Sequence, residues 1–300
     1  MNILLTGSNG FLGSILYTVL SKSNKIFTLA TKNAHYEYNL FSSTPVFNFS
    51  FDLVIHCAGK AHVVPRNKNE EKMFFDINVT GTKNLLKSLS LNSPPKKFVF
   101  ISSVSVYGLT EGENITESTS LLAVDPYGKS KIEAEQLIID WCENNDVICT
   151  ILRLPLIVGS NPPGNLGSMI KAINKGYYFN IANGLARKSM VLAEDVANVM
   201  LNVAEIGGIY NLTDGFHPTF SEFSTFISSQ LHKKKPMNIP FWVAKILAKL
   251  GDLFGDNAPL NTIKLKKITT NLIFNDSKAR KAFNWNPNPV IHQFKNTSNV

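Results

Sequence analysis

Cysteine, long apolar runs and internal repeats are all scarce or missing in this chain, and each absence narrows what it is. The 300 residues hold 3 cysteines. Cys57, Cys142 and Cys149 are an odd number set among apolar neighbours, which argues against a disulfide framework and for reduced core thiols. No apolar run reaches the roughly 18 residues a spanning helix needs, so no transmembrane segment is expected. Met1 to Thr6 enter an apolar strand directly, without a basic stretch and hydrophobic leader, so no signal peptide is expected and the cytoplasm is the expected compartment. Charged residues are also few, at 17%, with 44% hydrophobic, the balance of an ordinary folded protein rather than a disordered one.

What charge there is has a sign. A net charge of +8 suits a nucleic acid, an anionic membrane surface or an acidic small molecule. Basic and aromatic residues are nowhere interleaved, so no nucleic-acid partner is expected. The one dense run, Lys233-Lys234-Lys235, precedes Pro236 and reads as a solvated loop.

Apolar strand patterns at 2–6, 26–30, 53–58, 98–102 and 147–154 alternate with helical patterns at 11–22, about 70–91 and 127–144. That alternation predicts an α/β fold, a doubly wound parallel sheet of Rossmann type whose ligands sit at the carboxyl ends of the strands. A Gly/Pro/Asn stretch at 159–165 marks the start of a smaller α/β unit. The expected division is a dinucleotide-binding domain at 1–155 with a return near 190–213, and a substrate domain at 156–189 and 214–300. Within the latter, Thr219 and Glu222 have the spacing of a helix capping box. Residues 241–254 are amphipathic, with Trp242, Ile246, Leu250 and Leu253 on one face. This face could lie on a membrane surface, but packing inside the second unit is the expected arrangement.

The first strand runs straight into Gly7-Ser8-Asn9-Gly10-Phe11-Leu12-Gly13. Glycines in this strand-turn-helix setting permit a tight turn and close backbone approach, and the helix start offers free N–H groups and a positive dipole end to a pyrophosphate. Tyr127 and Lys131 lie four apart at the start of a predicted helix, behind the capping pair Asp125-Pro126, and so share a helix face. A cation beside a phenol favours the phenolate, which is how a tyrosine becomes a general base. Taken alone, either motif has an ordinary structural explanation.

Together they are specific. Gly-x-x-Gly-x-x-Gly, Ser102-Ser103-Val104-Ser105-Val106-Tyr107-Gly108 and Tyr-x-x-x-Lys resemble the extended short-chain dehydrogenase/reductase superfamily, and within it the NAD-dependent epimerase/dehydratase family acting on nucleotide sugars. Val54 to Gly59, Asn78, Arg153-Leu154-Pro155 and Asp276 to Ala279 extend the likeness over nearly the whole chain. The resemblance implies that Tyr127 moves a proton on and off a sugar hydroxyl, that Ser103 hydrogen-bonds the same hydroxyl, and that Lys131 binds the nicotinamide ribose and tunes the tyrosine. It implies cofactor contacts from Gly7, Asn9, Gly10, Phe11, Leu12 and Gly13 at the pyrophosphate. Asn39 and Leu40 would lie beside the adenine, with Ala58, Gly59, Asn78 and Pro155 along the rest of the cofactor. For the substrate it implies Asn165 and Leu166 over the diphosphate and uracil, Phe179 near the base, and Arg187 and Lys188 at phosphate. A homodimer through the helices flanking Tyr127 is implied as well.

Departures from the family pattern sharpen the expectation. Thr31 and Lys32 stand where an NAD enzyme carries the acid that binds the adenosine ribose, which favours NADP over NAD. Val104 and Ser105 replace the acidic residues of dehydratases, so 4,6-dehydration ranks below 4-epimerisation and 4-keto reduction of a UDP-hexose or UDP-N-acetylhexosamine. Leu156 replaces an asparagine, and the Leu-Pro-Leu form resembles the subgroup acting on sugars of bacterial surface polysaccharides. The competing reading is a non-catalytic NADP-binding redox sensor of the same fold, which would have no need of Ser103, Tyr127 and Lys131 together. No metal site is expected.

Overall fold

A computed structural model describes every residue except 62–64, 66, 256–257, 259 and 294–300. The first half runs β1 (Asn2–Thr6), α1 (Phe11–Leu20), β2 (Lys25–Ala30), β3 (Tyr36–Glu37) and β4 (Leu53–His56). Then come α2 (Lys68–Phe75), a π-helical turn (Asp76–Thr80), α3 (Gly81–Asn92), β5 (Lys97–Ser103) and a 3-10 turn (Val104–Tyr107). The middle comprises β6 (Gly112–Ile115), α4 (Pro126–Asn144), β7 (Ile148–Leu154), β8 (Leu156–Val158) and α5 (Gly164–Asn174). The last part holds β9 (Phe179–Ile181), β10 (Met190–Leu192), α6 (Ala193–Ile206), β11 (Gly208–Asn211), α7 (Phe220–Gln230) and β12 (Met237–Ile239). It closes with α8 (Phe241–Asp252), α9 (Thr262–Thr269), β13 (Leu272–Phe274), α10 (Ser277–Phe283) and α11 (Val290–Gln293).

Seven parallel strands form the central sheet in the order β11-β7-β5-β4-β1-β2-β3. Strand side chains alternate between its two faces. Ile3, Leu5, Ile55, Val99 and Leu152 meet α1 and α6 on one side. Leu4, Val54, Phe98, Phe100 and Ile151 meet α3 and α4 on the other. Burial on both faces explains why the strands read as unbroken apolar runs rather than alternating ones. A separate small core of Val158, Leu166, Ile170, Met190, Phe223 and Ile227 lies among α5, α7, β8 and β10. The sheet is doubly wound because the chain steps outward from β1 to β3, then returns to β4 on the other side of β1. This reversal leaves the ends of β1 and β4 facing a common crevice.

Three local readings have different outcomes. Thr219 and Glu222 form a full capping box on α7. The helical pattern at 70–91 is present but broken in its middle by the π-helical turn. The face of α8 differs from expectation: Ala244 and Ala248 are fully buried, whereas Trp242 and Leu253 are 66% and 80% exposed. Small residues let the helix backbone approach its neighbours, and an added Cβ on Gly251 would fall 1.9 Å from the carbonyl of Leu260. Among the described residues, no helix is long and apolar enough to cross a membrane, no metal-ligating cluster occurs, and the three cysteines are unbridged.

Candidate active site

The glycine turn is built for backbone, not side chains. Gly7 has φ +70°, and a Cβ there would lie 2.7 Å from the backbone of Ala58. A Cβ on Gly13 would lie 2.1 Å from the Gly7 carbonyl. The turn is therefore pressed against the segment after β4 on one side and against α1 on the other. Gly10 caps α1 without any side-chain hydrogen bond, so the first-turn N–H groups remain available to an anion. Asn9 ties this turn to the loop after β2 by donating to the Lys32 carbonyl at 2.7 Å. A dinucleotide pyrophosphate fits this cradle of uncapped amides and missing Cβ atoms.

At the other end of the crevice, Ser103 closes β5 and accepts the Ser105 N–H at 3.1 Å. Asp125 caps α4 by accepting the Gly128 N–H at 2.9 Å. A Cβ on Gly128 would lie 2.7 Å from the Ser105 carbonyl, so only glycine lets α4 start this close to the turn after β5. The close approach brings the partly buried Tyr127 to Ser103, whose side chain favours the phenolate. Burial nevertheless pushes the phenol up to about 12, with Asp125 adding to the rise. The Lys131 side chain is buried one turn further along, donates to the Ile101 carbonyl at 2.9 Å and lies over the Phe100 ring. Burial lowers its ammonium to about 8. A Cβ on Gly59 would touch both Lys131 Nζ, at 3.3 Å, and Asn78 Oδ1, at 3.0 Å. Asn78 sits in the π-helical turn, a distortion often found at functional sites, and binds Ser130 Oγ and the backbone of Lys60.

The depressed Lys131 value has a measurable consequence. Its folded value of about 8 is below the ordinary 10.5, so folding expels its proton between those pH values and stability rises with pH across that window. Below about pH 8 the buried ammonium costs about 3 kcal/mol. Lys131→Met is expected to unfold at higher denaturant than the parent at pH 7. The gap should close toward pH 10, as urea titrations at the two pH values will show.

Sequence reasoning missed a buried network beneath these residues. Arg153, on β7, pairs with Glu135 on α4 at 2.7 Å, both nearly excluded from solvent. Ser102 Oγ donates to the same carboxylate. Arg153 also donates to the Tyr107 hydroxyl at 3.1 Å, which in turn donates a hydrogen bond to Asn211 Oδ1 at 2.8 Å. The network joins β5, β7, β11 and α4 directly below Ser103 and Lys131. The available signal was spacing, since Glu135 follows Lys131 by one helical turn. His56 is likewise structural: its two ring nitrogens bind Thr6 and Thr82, and burial drops it to about 3, so it stays neutral. Cys57 lies near Lys131, and burial raises its thiol to about 11.

The remaining candidates separate into reachable and enclosed. Thr31 and Lys32 are exposed beyond β2, and Asn39 is exposed. The Leu40 side chain is buried against α3, Phe11 is partly buried, and Leu12 lies in the core. Pro155 is partly buried between β7 and β8. A nearby hollow of about 550 Å³ is lined by Ser8, Asn9, Asn33, His35 and Glu37, whose carboxylate accepts the Asn33 N–H at 2.7 Å. Among the expected substrate contacts, Asn165 is exposed in the first turn of α5, while the Leu166 side chain belongs to the small core. Phe179 faces out of β9 at 39% exposure. Arg187 is committed to the carbonyls of Phe216 and His217. Lys188 is partly buried, and burial lowers its ammonium to about 8.

A doubly wound parallel sheet with a glycine cradle at β1 and a Ser–Tyr–Lys group across the same crevice defines a Rossmann-type fold. The chain belongs to the NAD dependent epimerase/dehydratase family, whose model matches residues 3–213. It is 26% identical over 321 residues to UDP-glucose 4-epimerase of Vibrio cholerae, covering 99% of this chain and 94% of that protein. It is 25% identical over 300 residues to N-acetyl-alpha-D-glucosaminyl-diphospho-ditrans,octacis-undecaprenol 4-epimerase of Escherichia coli O157:H7, covering 94% and 89%. The solved structure of RMD from Pseudomonas aeruginosa, complexed with NADPH, superposes with a TM-score of 0.73 at 22% identity, covering 97% of this chain and 95% of that one.

Proposed function

We propose that the protein exchanges a hydride at carbon 4 of a UDP-hexose or UDP-N-acetylhexosamine, as a 4-epimerase or a 4-keto reductase using NAD(P). The observation carrying this reading is the convergence of Ser103, Tyr127 and Lys131 on the crevice that the glycine cradle opens. The two relatives named above, both 4-epimerases of sugars linked through a diphosphate, support the substrate class. A bound nicotinamide supplies the hydride acceptor or donor. Tyr127 holds the proton for the sugar oxygen: burial keeps the phenol protonated, which is the form that donates to a 4-ketone oxygen. The reverse direction needs added positive charge beside the phenol. Ser103 anchors the same oxygen, and Lys131 with Asn78 and Gly59 shapes the ribose end. Lys188, desolvated on the substrate side, suits a diphosphate oxygen, and Asn165 and Phe179 are placed to meet the nucleotide. Val104 and Ser105 put no carboxylate in the turn after Ser103, which argues against elimination of water.

Thr31 and the exposed Lys32 support NADP. Lys32→Ala is expected to weaken NADP about tenfold and leave NAD within about twofold, measured by fluorescence titration of both cofactors. Glu37, in the neighbouring hollow, opposes a 2'-phosphate and supports NAD; an unchanged preference in Lys32→Ala would favour that reading. The activity itself is tested by a panel of UDP-sugars and 4-keto UDP-sugars, with and without NADPH. An epimer formed without added NADPH identifies an epimerase, and a ketone consumed with NADPH identifies a reductase. Cofactor binding without turnover of any member would favour the redox-sensor reading instead.

A further inference from the structure

α8 is amphipathic in an inverted sense. At 100° per residue, Ala244, Ala248 and Gly251 fall on one arc. The two alanines pack against Leu265, beside Ile181, Ile239 and Ile268. The opposite arc carries Trp242, Ile246, Leu250 and Leu253, and all four are more than half exposed. Phe254, just beyond the helix, is 72% exposed, and Ile263 on the adjoining α9 is 64% exposed. A helix that turns its alanines inward and its tryptophan, leucines and isoleucine outward has its large apolar face unpartnered among the described residues.

The charge around this face is one-sided. Residues 231–270 contain eight lysines and two aspartates, six of the chain's net eight positive charges. Lys245 and Lys249 lie on one border of the apolar arc and are exposed. Lys267, on α9, is exposed as well. The aspartate of α8, Asp252, is engaged with Thr262. Large apolar side chains with a tryptophan, bordered by lysines on a short surface helix, match the headgroup boundary of an anionic bilayer. The apolar arc enters the acyl region and the ammonium groups meet lipid phosphates.

We infer that α8, with Phe254 and Ile263, docks the protein on anionic phospholipid membranes as a monotopic interfacial helix. The face is anchored close to the substrate side, because β12 leads into α8 and pairs with β9, the strand of Phe179. Docking does not depend on the proposed reaction, so the two stand or fall separately.

The test is co-sedimentation of the full chain with vesicles of phosphatidylcholine alone and of phosphatidylcholine with phosphatidylglycerol, paired with tryptophan fluorescence. The protein is expected to pellet with the anionic vesicles with a blue shift of its emission. The shift should come from Trp242, since Trp285 is buried and the Trp141 indole is held by Ser90. Trp242→Ser with Leu253→Ser should lower partition by about a hundredfold or more. Lys245→Gln with Lys249→Gln should lower it by about thirtyfold on anionic vesicles. Both pairs should leave the melting temperature and cofactor binding unchanged, because the replaced side chains already face water. Failure to pellet with anionic vesicles overturns the inference, as does a serine pair that pellets like the parent. A dimer in light scattering that the serine pair converts to monomer, without vesicle binding by the parent, also overturns it and assigns the face to a second copy.

Discussion

Tyr127→Phe is expected to lower turnover about 10³-fold while leaving cofactor affinity within about twofold. Phenylalanine keeps the ring beside Phe74 and the start of α4, so it removes one hydroxyl and little else. A positioned proton donor or acceptor contributes about 10²- to 10⁴-fold, and here no neighbour replaces it. The Ser103 hydroxyl donates to Ser105, and Lys131 Nζ is spent on the Ile101 carbonyl. Steady-state rates and equilibrium cofactor titration separate the two effects. A variant with near-parental turnover would remove Tyr127 from the chemistry.

The largest stability effect is expected at Glu135. Glu135→Leu leaves the Arg153 guanidinium buried with its main anionic partner gone, at a cost of about 3–5 kcal/mol. Removing both charges, as Glu135→Leu with Arg153→Leu, should restore much of that loss, because two apolar side chains of similar volume avoid the stranded charge. Denaturant unfolding of the two single variants and the double variant gives the coupling energy. Additive losses would show that the pair is not the unit that holds β7 to α4.

The contrast between these two residues explains what was legible in the sequence. Tyr127 and Lys131 declare themselves through local spacing behind an Asp-Pro cap, and the glycine turn through its position between an apolar strand and a helical repeat. The parallel sheet follows from apolar runs too continuous for strands with a solvent face. Glu135 and Arg153 are 18 positions apart, and their pairing depends on how α4 lies across β7, which no periodicity records. Glu37 joins the hollow beside Asn33 only because the short edge strand β3 folds back along β2. For Leu40 and Leu166, motif likeness points to cofactor and substrate contacts, but their side chains lie in apolar cores. The α8 pattern shows an apolar arc and a small-residue arc equally well. Which one faces inward depends on the close approach of Leu260 and Leu265, and the usual preference for burying large residues gives the wrong side.

The proposed reaction exchanges a hydride, and no carbon-bound proton, at carbon 4. The most direct measurement runs the productive member of the UDP-sugar panel in D₂O with protiated cofactor, followed by NMR and mass analysis of the sugar carbons. The proposed reaction puts no deuterium on any ring carbon, because the hydrogen reaching carbon 4 comes from the nicotinamide and Tyr127 exchanges only the oxygen-bound proton. Deuterium at carbon 3 or carbon 5 would show proton abstraction beside a ketone and would contradict it.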